Sequence, residues 1–191
     1  APATSTFLGP EADLYRHRIE THVPGATCLF FGKPEPAVLP LDLRTAPFTW
    51  TPTVGGTTIN VQDRPPYLTV NPGEGCAGGE DRAALVAHPP IGGAVAADYL
   101  VTLPPDRSAR LSFAAAIEDG AKSTNGIAFI VTVNGQTVSR QDLSGPDGWH
   151  PTTVDLGAHA GKTILLSLVV DAMGDASCDW ARWGDPRIEP R

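Results

Sequence analysis

The sequence lacks an apolar run long enough to cross a bilayer as a helix, which takes about 20 residues. Membrane insertion is therefore not expected. It is short of cations, with 14 Lys and Arg against 21 Asp and Glu, a formal net charge of -7. Nucleic-acid backbones and anionic membrane surfaces are held by clustered Lys and Arg, so neither is an expected partner. The three cysteines, Cys28, Cys76 and Cys178, form no C-x-x-C pair, which removes zinc-finger spacing. There is no Gly-x-Ser-x-Gly elbow of the common α/β serine hydrolases. The glycine-rich run Asn71–Gly79 is followed by no Gly-Lys-Ser/Thr, so it reads as a long loop rather than a phosphate cradle.

What the chain has is turn formers and short apolar runs. Its 191 residues carry 20 glycines and 19 prolines, with 41% hydrophobic residues, too many for a disordered chain. From residue 83 onward, alternating segments recur: 83–87, 94–103, 109–117, 127–133, 136–140, 152–156 and 163–170. Pro89-Pro90, Pro104-Pro105, Asp119-Gly120, Asn134-Gly135, Gly145-Pro146 and Gly161 separate them. Asn134-Gly135 between two such runs predicts a two-residue hairpin of the primed type. Many short strands without intervening helices point to an all-β antiparallel sandwich or jelly roll spanning residues 46–191.

Residues 1–45 read as an irregular N-terminal extension, packed on the body or loose. Glu11–Thr21 is the single short helix candidate, and His17 and His22, five apart, do not share one helical face. The start Ala1-Pro2-Ala3, with neither Met nor a hydrophobic leader, fits a processed, exported chain, and a secreted location is the expectation. In that compartment one disulfide and one free thiol are the simplest arithmetic, with Cys28–Cys76 preferred because it would tie the extension to the body.

The segments Leu85–Pro90, Ala97–Pro104 and Gly126–Gln136 come in order, followed by Trp149, Val154-Asp155-Leu156, Ala160–Thr163 and Asp179–Ile188. Over about residues 85–188 this series resembles the carbohydrate-binding modules of galactose-binding-like jelly-roll fold appended to secreted bacterial glycoside hydrolases and esterases. Cys178, before Asp179-Trp180, departs from that pattern. The resemblance implies non-catalytic binding of a carbohydrate, a polysaccharide, by a secreted bacterial module. Two other readings stay open: a polysaccharide lyase or glycoside hydrolase using paired carboxylates such as Glu118 and Asp179, and a structural or adhesive domain with no sugar site. The oligomeric state is open too.

A sugar platform needs an exposed aromatic ring flanked by hydrogen-bonding side chains. Trp180 and Trp183 are three apart, so on an extended chain they point to opposite faces. The reading gives Trp180 to the closure of the sandwich and places the platform on Trp183, with Arg182, Asp179, Glu118 and Asn125 as polar partners. Trp149, where a loop enters a strand, is a further ring that either plugs the sandwich or meets ligand. Asp171 and Asp175, with Asp179 and Asp185 in the same acidic stretch, suit calcium, which takes six to eight oxygens. A structural calcium held by Asp171 and Asp175 is thus the cofactor expectation. His88, before Pro89-Pro90, reads as bonded to a neighbouring loop, and a copper or zinc site from His88, His150 and His159 has no spacing to support it.

Overall fold

The structure, a computed structural model, describes residues 4–11, 14–20 and 27–32 by their backbone and residues 35–191 with side chains, Val61 excepted. His22 and the side chains of His17 and Cys28 lie outside the described residues. Strands β1 (Thr4–Glu11), β2 (Leu14–Glu20) and β3 (Thr27–Gly32) pair antiparallel in that order. Where a helix was expected over 11–21, Glu11 and Leu14–Glu20 are strand; the mixed period fits a sheet as well as a helix, and pairing decided the matter.

Twelve strands follow: β4 (Leu41–Asp42), β5 (Thr49–Val54), β6 (Thr57–Thr58), β7 (Thr69–Ala77), β8 (Glu80–His88) and β9 (Gly93–Thr102). Then come β10 (Ala109–Ile117), β11 (Ile127–Val133), β12 (Gln136–Leu143), β13 (His150–Asp155), β14 (Thr163–Asp171) and β15 (Ala181–Pro190). One sheet runs β13-β10-β15-β8-β7, with β4 also on β15; the other runs β12-β11-β14-β9-β5-β6. Every pairing is antiparallel, so the expected sandwich is the fold. Asn134 and Gly135 both have positive φ, +51° and +79°, as a primed hairpin turn requires.

Strand β15 is the centre of the first sheet. Alternation along it sends Ala181 and Trp183 inward and Arg182 and Gly184 outward. Trp183 is fully buried. Its indole meets Phe113 of its own sheet edge-on at 4.9 Å and Phe129 of the facing sheet at 5.1 Å, both in the T-shaped range that aromatic pairs prefer. The two sheets are thus joined through one ring. Tyr99 adds a second tie, donating its buried hydroxyl to the Leu43 carbonyl at 2.9 Å.

Two local features depart from the sequence reading. The glycine-rich run expected as a loop is the edge strand β7, paired with β8 from Thr69↔His88 to Ala77↔Glu80. Gly75 is there because a Cβ at this position would lie 2.6 Å from the Arg182 side chain, which crosses the outer face of the sheet. Strand β15 bulges opposite Ser112 and Ala114 of β10, and Asp185 at the bulge has φ +46°. For a residue with a Cβ that conformation costs on the order of 1 kcal/mol, and bulges of this sort re-aim a side chain.

Replacing Trp183 with alanine should cost about 3–5 kcal/mol, since it removes a fully buried ring that meets aromatic partners on both sheets. Equilibrium urea unfolding of the wild type and Trp183→Ala measures this. A loss below 1 kcal/mol would show that the indole does not carry the inter-sheet contact.

Candidate functional site

The loops that gather at one end of the sandwich are 78–79, 89–92, 118–126 and 172–180. Carboxylates and backbone bonds tie them together. Asp119 follows β10 and accepts hydrogen bonds from the Gly78 and Gly79 N–H groups at 2.7 and 2.9 Å. Those two N–H groups, Gly79 first, hold its carboxyl below the usual range. Gly92 N–H donates to the Gly174 carbonyl at 2.7 Å, and Asn125 Nδ2 donates to the Met173 carbonyl at 3.4 Å. Asp171 accepts from Met173 N–H at 2.7 Å, and Asp175 from the Ser177 N–H and hydroxyl at 3.2 and 3.0 Å. Both are local Asx-type turns.

Asp179 is fully buried. One of its oxygens, Oδ1, accepts from the Thr124 hydroxyl at 2.7 Å, while Oδ2 has no hydrogen-bond partner. Burial pushes its carboxyl up to about 6, against the Thr124 bond that lowers it. Beside it the backbone turns: Cys178 has φ +59°, and Trp180 N–H donates to the Cys178 carbonyl at 2.8 Å. That turn lifts Trp180 to the surface, where it is 38% exposed. Its ring edge lies against Gly120, so close that a Cβ there would sit 2.8 Å from Cζ3. Met173, 45% exposed, stands on the same end of the sandwich.

Arg182 and Glu118 form an ion pair beneath the outer face, Nε to Oε2 at 2.6 Å, with side chains only 13% and 22% exposed. The approach is off the N–H axis, so it is an ionic contact rather than a straight hydrogen bond. Glu118 also accepts from Cys76 N–H at 3.3 Å. Burial lowers the Arg182 pKa, and the Glu118 charge opposes that. Trp149 lies on the outer face of the same sheet. Its Nε1 donates to the Glu80 carbonyl at 2.8 Å, the Arg82 guanidinium lies 5.2 Å from its ring centre, and Gly184 leaves the space its ring edge fills.

The sequence-derived site thus separates. Trp183 is withdrawn: it is core, because the ring facing Phe129 must fill the inter-sheet space. Arg182 and Glu118 neutralise each other, and Asp179 is sealed behind Thr124, so none of the three is presented to solvent as a sugar partner. Asn125 and Trp149 remain accessible, each with a structural bond. The exposed ring is Trp180, the one the sequence reading had assigned to closure. Period-two spacing says that the two rings oppose each other, but not which one faces in. The positive-φ turn at Cys178, needed to choose, has no local signature.

Asp171 and Asp175 each commit an oxygen to their own turns. Among the described residues no three His, Cys, Asp or Glu side chains are grouped to hold a metal. His88 bonds Pro89 O through Nδ1 at 3.1 Å and packs on Tyr67. Among the described residues Cys76 and Cys178 are free thiols, and the expected Cys28–Cys76 bridge involves the Cys28 side chain, which lies outside them. Asp81 and Asp119 beside the Cys76 thiol, Asp81 first, push it up to about 11, which keeps it protonated and unreactive.

No family model matches the chain, and no curated protein matches its sequence. Solved structures do. The CBM51 module of Clostridium perfringens GH95, in complex with methyl-galactose, superposes with a TM-score of 0.54 at 15% identity, over 78% of this chain and 98% of that one. CBM51-2 with the INT domains of C. perfringens ZmpB, in complex with GlcNAc, gives 0.53 at 14% identity, over 99% of this chain and 41% of that one. The tandem CBM51 modules of the family 98 glycoside hydrolase from Streptococcus pneumoniae SP3-BS71 give 0.54 at 9% identity, over 79% and 47%. The chain spans less than half of these last two. The chain therefore shares the antiparallel β-sandwich fold of these modules.

Removing one partner of the Arg182–Glu118 pair strands the other charge. Glu118→Ala should lose about 3 kcal/mol in chemical denaturation, and Glu118→Asp should recover part of it. Equal stability of Glu118→Ala and wild type would show the pair to be incidental. A raised carboxyl pKa means that the folded state favours the protonated form of Asp179. Its contribution is present below pH 4 and lost as pH rises through about 6. Between pH 4 and 7, Asp179→Asn should flatten the fall in stability by about 2–3 kcal/mol; an unchanged slope would place the titration elsewhere.

Proposed function

We propose that this chain is a non-catalytic carbohydrate-binding module that works outside a bacterial cell, and that Trp180 is its loop-end platform. The carrying observation is the Trp180 indole, 38% exposed and held against Gly120, on the loop end where Met173 and Asn125 are exposed too. An aromatic face of this kind meets the C–H face of a pyranose ring while nearby amides and carbonyls take its hydroxyls. Modules of the same fold that hold methyl-galactose and GlcNAc support the ligand class.

Glu118 and Asp179, the carboxylates that a hydrolase reading would use, are respectively ion-paired and sealed from solvent. A general acid and its partner must both reach the scissile bond, and these two do not. Binding by one ring and a few hydrogen bonds leaves modest affinity after the cost of association.

A glycan array, followed by calorimetric titration of the mono- and disaccharides it selects, tests the reading with wild type and Trp180→Ala side by side. The wild type should bind, and Trp180→Ala should lose at least tenfold in affinity with an unchanged melting temperature. Binding that survives Trp180→Ala, binding to no glycan, or turnover of a bound saccharide would each overturn it.

A further inference from the structure

Two clefts on the outer face of the β15 sheet belong to none of the loops above. One, about 170 Å³, lies between Arg82, Ser112, Thr152, Thr153, Gly184 and Arg187, beside Trp149. The other, about 240 Å³, lies between Pro40, Asp42, Arg44, Pro186 and Glu189 where β4 meets β15. Asp185 and Arg187 line both, so the clefts adjoin at the bulge. Each alone is smaller than the roughly 300 Å³ at which drug-sized sites begin, and the two together exceed it.

The bulge explains the geometry. On one edge β15 pairs first with β8, through Ala181–Gly184, and then with β4, through Arg187 and Ile188. Between those segments the Pro186 carbonyl accepts from the Leu43 N–H at 2.9 Å, which leaves a one-residue gap in the pairing at Asp185. Asp185 stands in that gap with its positive φ, half-exposed, and accepts no hydrogen bond from the described residues. The arginines beside it each face a carboxylate: Arg44 faces Asp42 at 2.5 Å, Arg82 faces Glu80 at 2.9 Å, and Arg187 faces Glu189 at 3.5 Å, a carboxylate that Arg110 also engages at 3.0 Å.

We infer that this trough binds a neutral glycan chain of several sugar units, with Asp185 as acceptor and Arg187 as donor where the two clefts meet. Matched arginine–carboxylate pairs set donors beside acceptors, which suits vicinal hydroxyls, each of which both gives and takes a hydrogen bond. Counting Asp185, the arginines Arg44, Arg82, Arg110 and Arg187 are balanced by Asp42, Glu80, Asp185 and Glu189, so an acidic polysaccharide meets no net attraction here. Pro40, Pro151 and Pro186 offer apolar edges for sugar C–H groups. A trough open along its length takes the interior of a chain, whereas a ring at a loop end takes one sugar. The inference rests on the reading of the molecule as a carbohydrate binder, but not on Trp180.

The test is calorimetric titration of the full chain with cellohexaose, xylohexaose and galactohexaose, their disaccharides, and hexagalacturonate. At least one neutral hexasaccharide should bind tenfold or more tighter than its disaccharide. Arg187→Ala and Asp185→Gly should each weaken it at least fivefold, and each should leave the melting temperature unchanged. Glycine is chosen at 185 because it accepts the positive φ, so loss of binding is not loss of fold. Hexasaccharide binding that is lost in Trp180→Ala and kept in Asp185→Gly and Arg187→Ala would overturn the trough and support the loop-end site. Loss confined to Asp185→Gly and Arg187→Ala would support the trough without the ring. Binding of no neutral hexasaccharide, or tighter binding of hexagalacturonate, would overturn it.

Discussion

The edge-on contact of Trp183 with Phe113 and Phe129 is the constraint from which the outer surface follows. A ring of that size facing inward fixes the phase of β15, and the phase fixes what its neighbours do. Arg182 and Gly184 must then face outward, where one needs an anion and the other leaves a space. Glu118 supplies the anion and Trp149 fills the space. The flanking strands accommodate both, β7 by being glycine at 75. One inward ring therefore accounts for an ion pair, a packed indole and an unusually bare edge strand on the opposite face.

At the loop end the acidic side chains act as struts. Asp119 holds the β7–β8 turn, Asp171 and Asp175 hold their own turns, and Asp179 clasps Thr124. Several of the chain's carboxylates are thereby committed to holding loop geometry. Short polar side chains are effective here because loops without helix or sheet ladders must satisfy their N–H groups some other way. The result is a set of ordered loops around an exposed indole. That is a surface suited to recognising a rigid ring at low entropic cost.

Much of the architecture was legible in the sequence, and the reasons are local. Runs 109–117 and 127–133 coincide with β10 and β11 because alternation, β-branched residues and turn formers all agree there. The Asn134-Gly135 hairpin was legible because only such residues take two successive positive φ values cheaply. Strand β7 was not, since glycine and proline signal a loop unless one knows that Arg182, far along the chain, needs the room. The site was least legible. Spacing alone cannot choose which of Trp180 and Trp183 faces inward, nor show that Glu118 and Asp179 are consumed by Arg182 and Thr124. The trough is harder still, because Asp42, Arg82, Ser112 and Arg187 meet only once four strands are aligned.

The position of β15 also governs the order in which the molecule can be assembled. Its partners β8 and β10 pair with it through Leu85↔Trp183 and Ala115↔Trp183, contacts between residues far apart in the chain. A chain emerging from the ribosome displays β8 and β10 with bare facing edges until residues 181–188 arrive to lie between them. Contacts of such long range fold slowly, and unpaired edges are the surfaces through which chains join one another. Strand β15 is therefore the one that covers both facing edges of the unfinished sheet.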